Sequence, residues 1–228
     1  AYAQHVEHLL EKQPWAKKLV DLHTVNDRST AEFVAWAQQW SEKSLHALAT
    51  APAAYNTKIP GLKKFTVMEK TNITEDNSTF KVVLKCNQKF QSGDLLAIYP
   101  ANDNRERFYS IGKCNNHIQL IVKLFPDGLG SGCLHNLHKG DTIAGRILTN
   151  PSFHLPAHAQ KVAMIANGTG IAPFLGMVSN NNASTEIFLY AGFRHNNSLT
   201  QEYQIWANQA ISKQQLNNIE FAFSREEN

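Results

Sequence analysis

The run Gly168-Thr-Gly-Ile-Ala-Pro-Phe174 constrains this chain more than any other stretch. It follows Lys161-Val-Ala-Met-Ile-Ala166, a short apolar run that reads as a buried parallel strand. Ala172 to Val178 then reads as the first turns of a helix, with Pro173 near the N-terminus, where a missing N–H costs nothing. Strand, glycine turn and helix start aim backbone N–H groups at one spot, with the positive end of the helix dipole behind them. That geometry attracts a phosphate. The pattern is G-x-G-x-x-P rather than G-x-G-x-x-G, and the same residues also suit an ordinary strand-to-helix turn. The flanking sequence has to decide.

With 228 residues the chain can bury one large core or two modest ones. Its net charge of +3 is small and spread along the sequence, with no arginine-rich arm, so nucleic acid is not expected as a partner. Cys86, Cys114 and Cys133 form no C-x-x-C and are odd in number, which argues against a zinc knuckle and a disulfide framework. A reducing, cytoplasmic setting is expected. No signal peptide opens the chain, and the charge-free run from Val162 to Thr185 is broken by glycines and a proline, so no membrane segment is expected.

Earlier in the chain, Tyr2 to Gln13 reads as a helix and Lys18 to Thr24 as a strand. Asn26 to Thr30 reads as a turn whose Ser29 or Thr30 caps a helix carrying Phe33, Val34, Trp36, Trp40 and Leu45. Those tryptophans read as packing residues against a sheet. Ala49 to Gly61, with two prolines, has linker composition. Short β-rich runs follow at Phe65–Glu69, Thr79–Lys85, Leu95–Tyr99, Phe108–Ile111, His117–Leu124 and Gly140–Ile147. Their close spacing predicts an antiparallel barrel or sandwich. From Lys161 the pattern becomes strand, helix, strand at Thr185–Gly192, helix at Glu202–Ala210 and strand at Ile219–Phe223, the alternation of a parallel α/β sheet.

Several residues could carry chemistry. On a strand, Arg107 and Tyr109 share one face, and Ser110 lies on the other or at the strand's end. An arginine fork suits a diphosphate, a tyrosine ring a flat heterocycle, and a hydroxyl a ring nitrogen, although these residues also make an ordinary strand. Gly128-Leu-Gly-Ser131 allows close approach of a phosphate, and equally a hairpin turn. Ser224-Arg225 closes the third α/β strand, at the end that faces the ligand crevice in nucleotide-binding sheets. That pair suits a 2′-phosphate better than a ribose diol, and Glu186 falls at the wrong end of its strand to compete. His135 with His138, and His5 with His8, lack a third ligand, so no metal is expected. No G-x-S-x-G elbow supports hydrolase chemistry.

Five motifs in order resemble the ferredoxin–NADP⁺ reductase family, in the diflavin reductase branch of the sulfite reductase flavoprotein and cytochrome reductases. They are Gly93-Asp-Leu-Leu-Ala-Ile-Tyr-Pro100, Arg107-Phe-Tyr-Ser110, Gly128-Leu-Gly-Ser-Gly-Cys-Leu134, Gly168-Thr-Gly-Ile-Ala-Pro173 and Ala222-Phe-Ser-Arg-Glu226. Asn150-Pro-Ser-Phe-His-Leu-Pro156 resembles the family's segment before its nucleotide domain, and the first fifty residues resemble the C-terminal end of a flavodoxin-like domain.

The resemblance implies a helix-strand-helix remnant of an FMN domain over 1–50, a linker over 51–62, an antiparallel β-barrel FAD-binding domain over 63–157 and a truncated α/β NADP-binding domain over 158–228. It implies that Arg107, Gly128, Leu129, Gly130 and Ser131 hold the FAD diphosphate, with Tyr109 packed on the flavin and Ser110 near its N5. Tyr109 and Ser110 are then the catalytic pair. Gly168, Thr169, Gly170 and Pro173 would receive NADPH, and Arg194, Ser224 and Arg225 its 2′-phosphate. The implied activity passes a hydride from NADPH to FAD and single electrons on to an FMN domain of the parent chain or another acceptor. A parent chain anchored to a membrane would face the cytoplasm.

Three features depart from the family. Phe193 stands where a cysteine usually flanks the nicotinamide, the interval from Ala101 to Glu106 has no room for a helical insert, and the final strands with the aromatic that shields the flavin are missing. The chain is therefore expected to be a piece of something longer. The alternatives are an FAD-binding module without turnover, and a flavin-free dehydrogenase, which would have no use for Arg107-Phe-Tyr-Ser110.

Overall fold

Period-two alternation dominates the middle of the chain, and it becomes sheet wherever a polar or glycine turn lets the strand reverse. The computed structural model describes residues 2–25, 29–46, 61–100 and 106–226. They fall into two compact units, the second beginning at Gly61.

The first unit contains α1 (Tyr2–Glu11) and α2 (Thr30–Ser44). Ser29 caps α2, its Oγ accepting the N–H of Glu32 at 3.3 Å. The expected strand at Lys18–Thr24 is absent: the segment forms no ladder, and Lys18 is drawn to Glu7 of α1 at 2.7 Å. A strand needs a hydrogen-bonding neighbour, and none is present among the described residues of this unit. Trp36 and Trp40 stack on each other (6.2 Å, 27°) rather than on a sheet. The turn at 26–28 and most of the linker lie outside the described residues.

The second unit opens with a nearly closed antiparallel barrel. Its strands are β1 (Lys63–Lys70), β2 (Thr79–Lys85), β3 (Leu95–Ile98), β4 (Arg107–Ser110), β5 (Gly112–Cys114), β6 (His117–Lys123) and β7 (Thr142–Leu148). They lie in the order β4-β3-β7-β1-β2-β6-β5. Inward positions follow the alternation: Phe65 and Val67, then Phe80, Val82 and Leu84, then Ile118, Leu120 and Val122 form one buried cluster with Leu96, Ile98, Ile111 and Leu134. Each such side chain contributes roughly 1.5–3 kcal/mol by leaving water. Helix α3 (Leu129–Asn136) follows β6, and Lys70 donates to the carbonyl of His135 in its last turn, where a cation is favourable.

A 3₁₀ turn at Pro151–Phe153 leads to the parallel strands β8 (Lys161–Asn167), β9 (Glu186–Phe193) and β10 (Asn218–Phe223), ordered β10-β9-β8. Helices α4 (Ala172–Ser179) and α5 (Ser198–Ser212) alternate with them. Helix α5 begins earlier than the apolar pattern suggests, because Asn197 and Thr200 form a reciprocal capping box. Leu175, Val178, Tyr203, Ala207 and Ala210 of the helices join Met164, Ala166, Ile187, Leu189 and Ala191 of the sheet in a second core. On the opposite face Ile165 is 78% exposed.

Two glycines join barrel and sheet. A Cβ on Gly112 would lie 2.1 Å from the carbonyl oxygen of Ala172, and one on Gly176 would lie 2.4 Å from the amide nitrogen of Lys113. Helix α4 therefore rests directly on the β5 backbone.

Candidate active site

The site begins at β4, which among the described residues is an edge strand paired with β3 alone. Arg107 and Tyr109 point to one side of it and Phe108 and Ser110 to the other, and all four border a cleft of about 440 Å³. The start of α3 forms the adjoining wall with Gly128, Leu129, Gly130 and Ser131. Gly130 is needed for that approach, since a Cβ there would lie 2.8 Å from Arg107 Cγ and 2.9 Å from the Tyr109 hydroxyl. The room expected around this glycine is thus filled by Arg107 and Tyr109 themselves.

Ser131 is buried, and its hydroxyl works inside the turn. It accepts the N–H of Phe125 at 3.1 Å and donates to the Gly128 carbonyl at 3.3 Å. What the turn offers a ligand is the set of backbone N–H groups at the start of α3, which have no partner within a helix.

The opposite wall is the turn after β8. Gly168 has φ +53°, and Gly168 to Ile171 form a 3₁₀ turn that runs into α4. Thr169 and Gly170 border the cleft. A Cβ on Gly168 or Gly170 would meet nothing within 4 Å, so these two glycines, unlike Gly130, leave space for something that is not protein. Pro173 is buried in the first turn of α4 and does not border the cleft.

Ile121, Lys123 and Phe125 also line the cleft and were not anticipated. The Lys123 ammonium lies 5.2 Å over the Phe125 ring. Strand register carried the signal: Ile118, Leu120 and Val122 point into the barrel, so Ile121 and Lys123 point out of it.

The remaining predicted residues gather along the carboxyl edge of the parallel sheet. The N–H of Ser224 donates to the Phe193 carbonyl (2.9 Å), and the N–H of Arg225 to the Arg194 carbonyl (3.0 Å), which brings Arg194, Ser224 and Arg225 together. Gly168 follows β8 at the same edge, because Asn167 pairs with Gly192 and Gly192 with Ala222. These three residues do not line the cleft itself. Glu186 is at the other end of the sheet, 3.6 Å from Lys161. The Phe193 ring turns to the covered face, against Tyr203 (5.8 Å) and Phe221 (6.2 Å).

Burial, with a smaller contribution from neighbouring Cys133, pushes the Tyr109 phenol up to about 12 against the pull of Arg107. Tyr109 therefore stays neutral at physiological pH and offers a ring and a hydrogen bond rather than acid–base catalysis. The described residues contain no group of three or more metal-ligating side chains. The interval 101–105 lies outside the described residues.

Residues 64–147 match the model of the oxidoreductase FAD-binding domain. Among curated proteins, the sulfite reductase [NADPH] flavoprotein alpha-component of Baumannia cicadellinicola subsp. Homalodisca coagulata is 32% identical over 112 residues, covering 46% of this chain and 18% of that protein. The match thus spans under a fifth of that relative's length. Among solved structures, the ferredoxin–NADP⁺ reductase of Plasmodium falciparum superposes with a TM-score of 0.62 at 22% identity, over 76% of this chain and 74% of that one. A ferredoxin NADP⁺ reductase of Neisseria gonorrhoeae with bound FAD and NADP gives 0.59 at 18% identity, over 73% and 70%. A barrel with this edge-strand cleft, joined to a parallel sheet by its glycine turn, carries the same fold as these reductases, and within it residues 64–147 are similar to the oxidoreductase FAD-binding domain.

Proposed function

We propose that the chain is an FAD-dependent reductase module that draws electrons from NADPH. The observation that carries this reading is a single cleft bordered by Arg107, Tyr109 and Ser110, by Gly128–Ser131 and by Thr169–Gly170. Arg107 and the N–H groups at the start of α3 suit a diphosphate held at the barrel edge, and the Tyr109 ring suits a flat heterocycle beside it. The open space at Gly168 and Gly170 suits a second diphosphate at the start of α4. Arg194, Ser224 and Arg225 supply the charge and hydrogen bonds that a 2′-phosphate needs.

When bound, FAD supplies the ability to take two electrons as a hydride and release them singly. The chain's own part is to bind, orient and shield. Ser110 is placed at the cleft to hydrogen-bond a ring nitrogen, and Tyr109 packs on the ring without changing charge. The relative is named as the flavoprotein component of an NADPH sulfite reductase, which supports electrons passing on to a further acceptor, in this reading an FMN domain of the parent chain or another acceptor. The domain bounds in this reading are an FMN-domain remnant over 1–50, a linker over 51–62, FAD-binding residues 63–157 and NADP-binding residues 158–228, and the change from an antiparallel to a parallel sheet supports the last division. The cytoplasm is the setting we propose, and no described helix is long and apolar enough to cross a membrane.

The test is optical. Chain reconstituted with FAD is mixed with NADPH without oxygen, and the flavin band should bleach. A yellow chain that NADPH leaves unbleached would be an FAD-holding module without turnover. A chain that takes no FAD defeats both readings.

A further inference from the structure

Asp94, at the corner before β3, is 3% exposed, and both of its carboxylate oxygens have hydrogen-bond partners. Oδ2 accepts the N–H of Gln91 at 2.9 Å. Oδ1 accepts the N–H of Asn150 at 2.9 Å and lies 2.7 Å from His154 Nε2. The Asn150 amide also donates to the Gly93 carbonyl at 3.1 Å. Gly93 has φ +100°, and a Cβ on it would lie 1.9 Å from the Phe153 carbonyl oxygen. Segment 150–154, which leads from the barrel to the parallel sheet, is therefore stitched onto the Gly93–Asp94 corner.

From that corner two paths reach the cleft, one to each wall. The Gly93 N–H donates to the Ile111 carbonyl (2.9 Å) and the Ile111 N–H to the Asp94 carbonyl (2.8 Å), beside Ser110. On the other side the Phe153 ring packs on Phe174 of α4 (5.5 Å between centroids), the helix that the Thr169–Gly170 turn feeds. Removing the imidazole would leave a buried carboxylate short of one charge-assisted bond, and the segment would move to let water reach it.

We infer that the Asp94–His154 pair positions the two walls of the cleft relative to each other, and so sets the approach of nicotinamide to flavin. This rests on the reading above that both cofactors meet in that cleft. Neither residue borders the cleft, so both act through the main chain and Phe153 as positioning residues. Displacements of about 1 Å in such an alignment cost on the order of 100-fold in rate.

The experiment compares the full chain with His154→Ala, which deletes the imidazole, and His154→Arg, which keeps an N–H donor for the carboxylate. Backbone hydrogen exchange is followed with and without FAD. His154→Ala should bind FAD in unchanged amount, exchange about tenfold faster over 168–176 while β2 (79–85) keeps its protection, and reduce its flavin with NADPH about tenfold more slowly or worse. His154→Arg should recover part of both losses. Unchanged exchange over 168–176 overturns the inference. So does an equal rise in β2, which would mark a general loss of stability, or an unchanged reduction rate in a chain that NADPH does reduce. A chain that takes no FAD defeats the proposed function instead, and the exchange measured without FAD still decides the positioning role.

Discussion

Gly130 lies so close to Arg107 that a methyl group on its Cα would stand 2.8 Å from the arginine's Cγ. The Cγ is near the backbone and cannot swing away as a guanidinium tip could. Gly130→Ala should therefore push α3 off β4 and turn Arg107 out of the cleft. Overpacking of this kind costs about 1–3 kcal/mol. FAD affinity, read by fluorescence titration, should fall about 10- to 100-fold, by the conversion of roughly 1.4 kcal/mol per decade.

The two open glycines of the opposite wall should behave differently from Gly130 and from each other. Gly168 has φ +53°, so Gly168→Ala forces an alanine into the left-handed region at a cost of about 1–2 kcal/mol, visible as a lower Tm. Gly170 has no positive φ and no neighbour within 4 Å of a built Cβ, so Gly170→Ala should leave Tm unchanged. Its methyl group nevertheless enters the cleft, and NADPH affinity should drop while FAD affinity holds.

Arg225, bonded through its N–H to the Arg194 carbonyl, stands at the end of the sheet where the nucleotide's far phosphate would lie. Arg225→Ala should weaken NADPH binding by about 1.5–3 kcal/mol, the range for a lost bond to a charged group. NADH binding should barely change. Equal losses for the two nucleotides would show that this arginine does not read the 2′-phosphate.

Acid should expose the role of Asp94. Burial works to raise its carboxyl, but the N–H groups of Asn150 and Gln91, together with His154, outweigh burial and hold it below the ordinary value. A carboxyl lowered by folding stabilises the native state fully above its unfolded pKa of about 3.9, and that contribution disappears as pH falls through the folded value. Asp94→Asn should lower Tm at neutral pH, and below about pH 4 its Tm should fall less steeply than that of the unaltered chain. Parallel melting curves across that range would remove Asp94 from the account.

Much of this architecture is legible in the sequence because local rules and tertiary demands agree. Alternation in Thr79–Lys85 reproduces β2 residue for residue, and the apolar run before Gly168 is a parallel strand. The strand expected at Lys18–Thr24 shows the limit, since alternation describes a willingness to pair and says nothing about a neighbour. Lys123 shows another. A lysine ending an apolar strand looks like solubilising charge, and only the register of β6 against both cores reveals where this one points. Gly130 and Gly170 read alike on paper, yet one makes room for the chain's own arginine and the other borders open space.

Strand β6 is a partition wall. Ile118, Leu120 and Val122 belong to the barrel core, whereas Ile121 belongs to the core of the parallel sheet and Lys123 to the cleft. A slip of one residue would drive the lysine into the barrel and hand the cleft a valine. The barrel therefore cannot settle into an approximate register and correct the cleft later. Closing the barrel and shaping the cofactor cleft are one event, and a substitution that loosens β6 forfeits both.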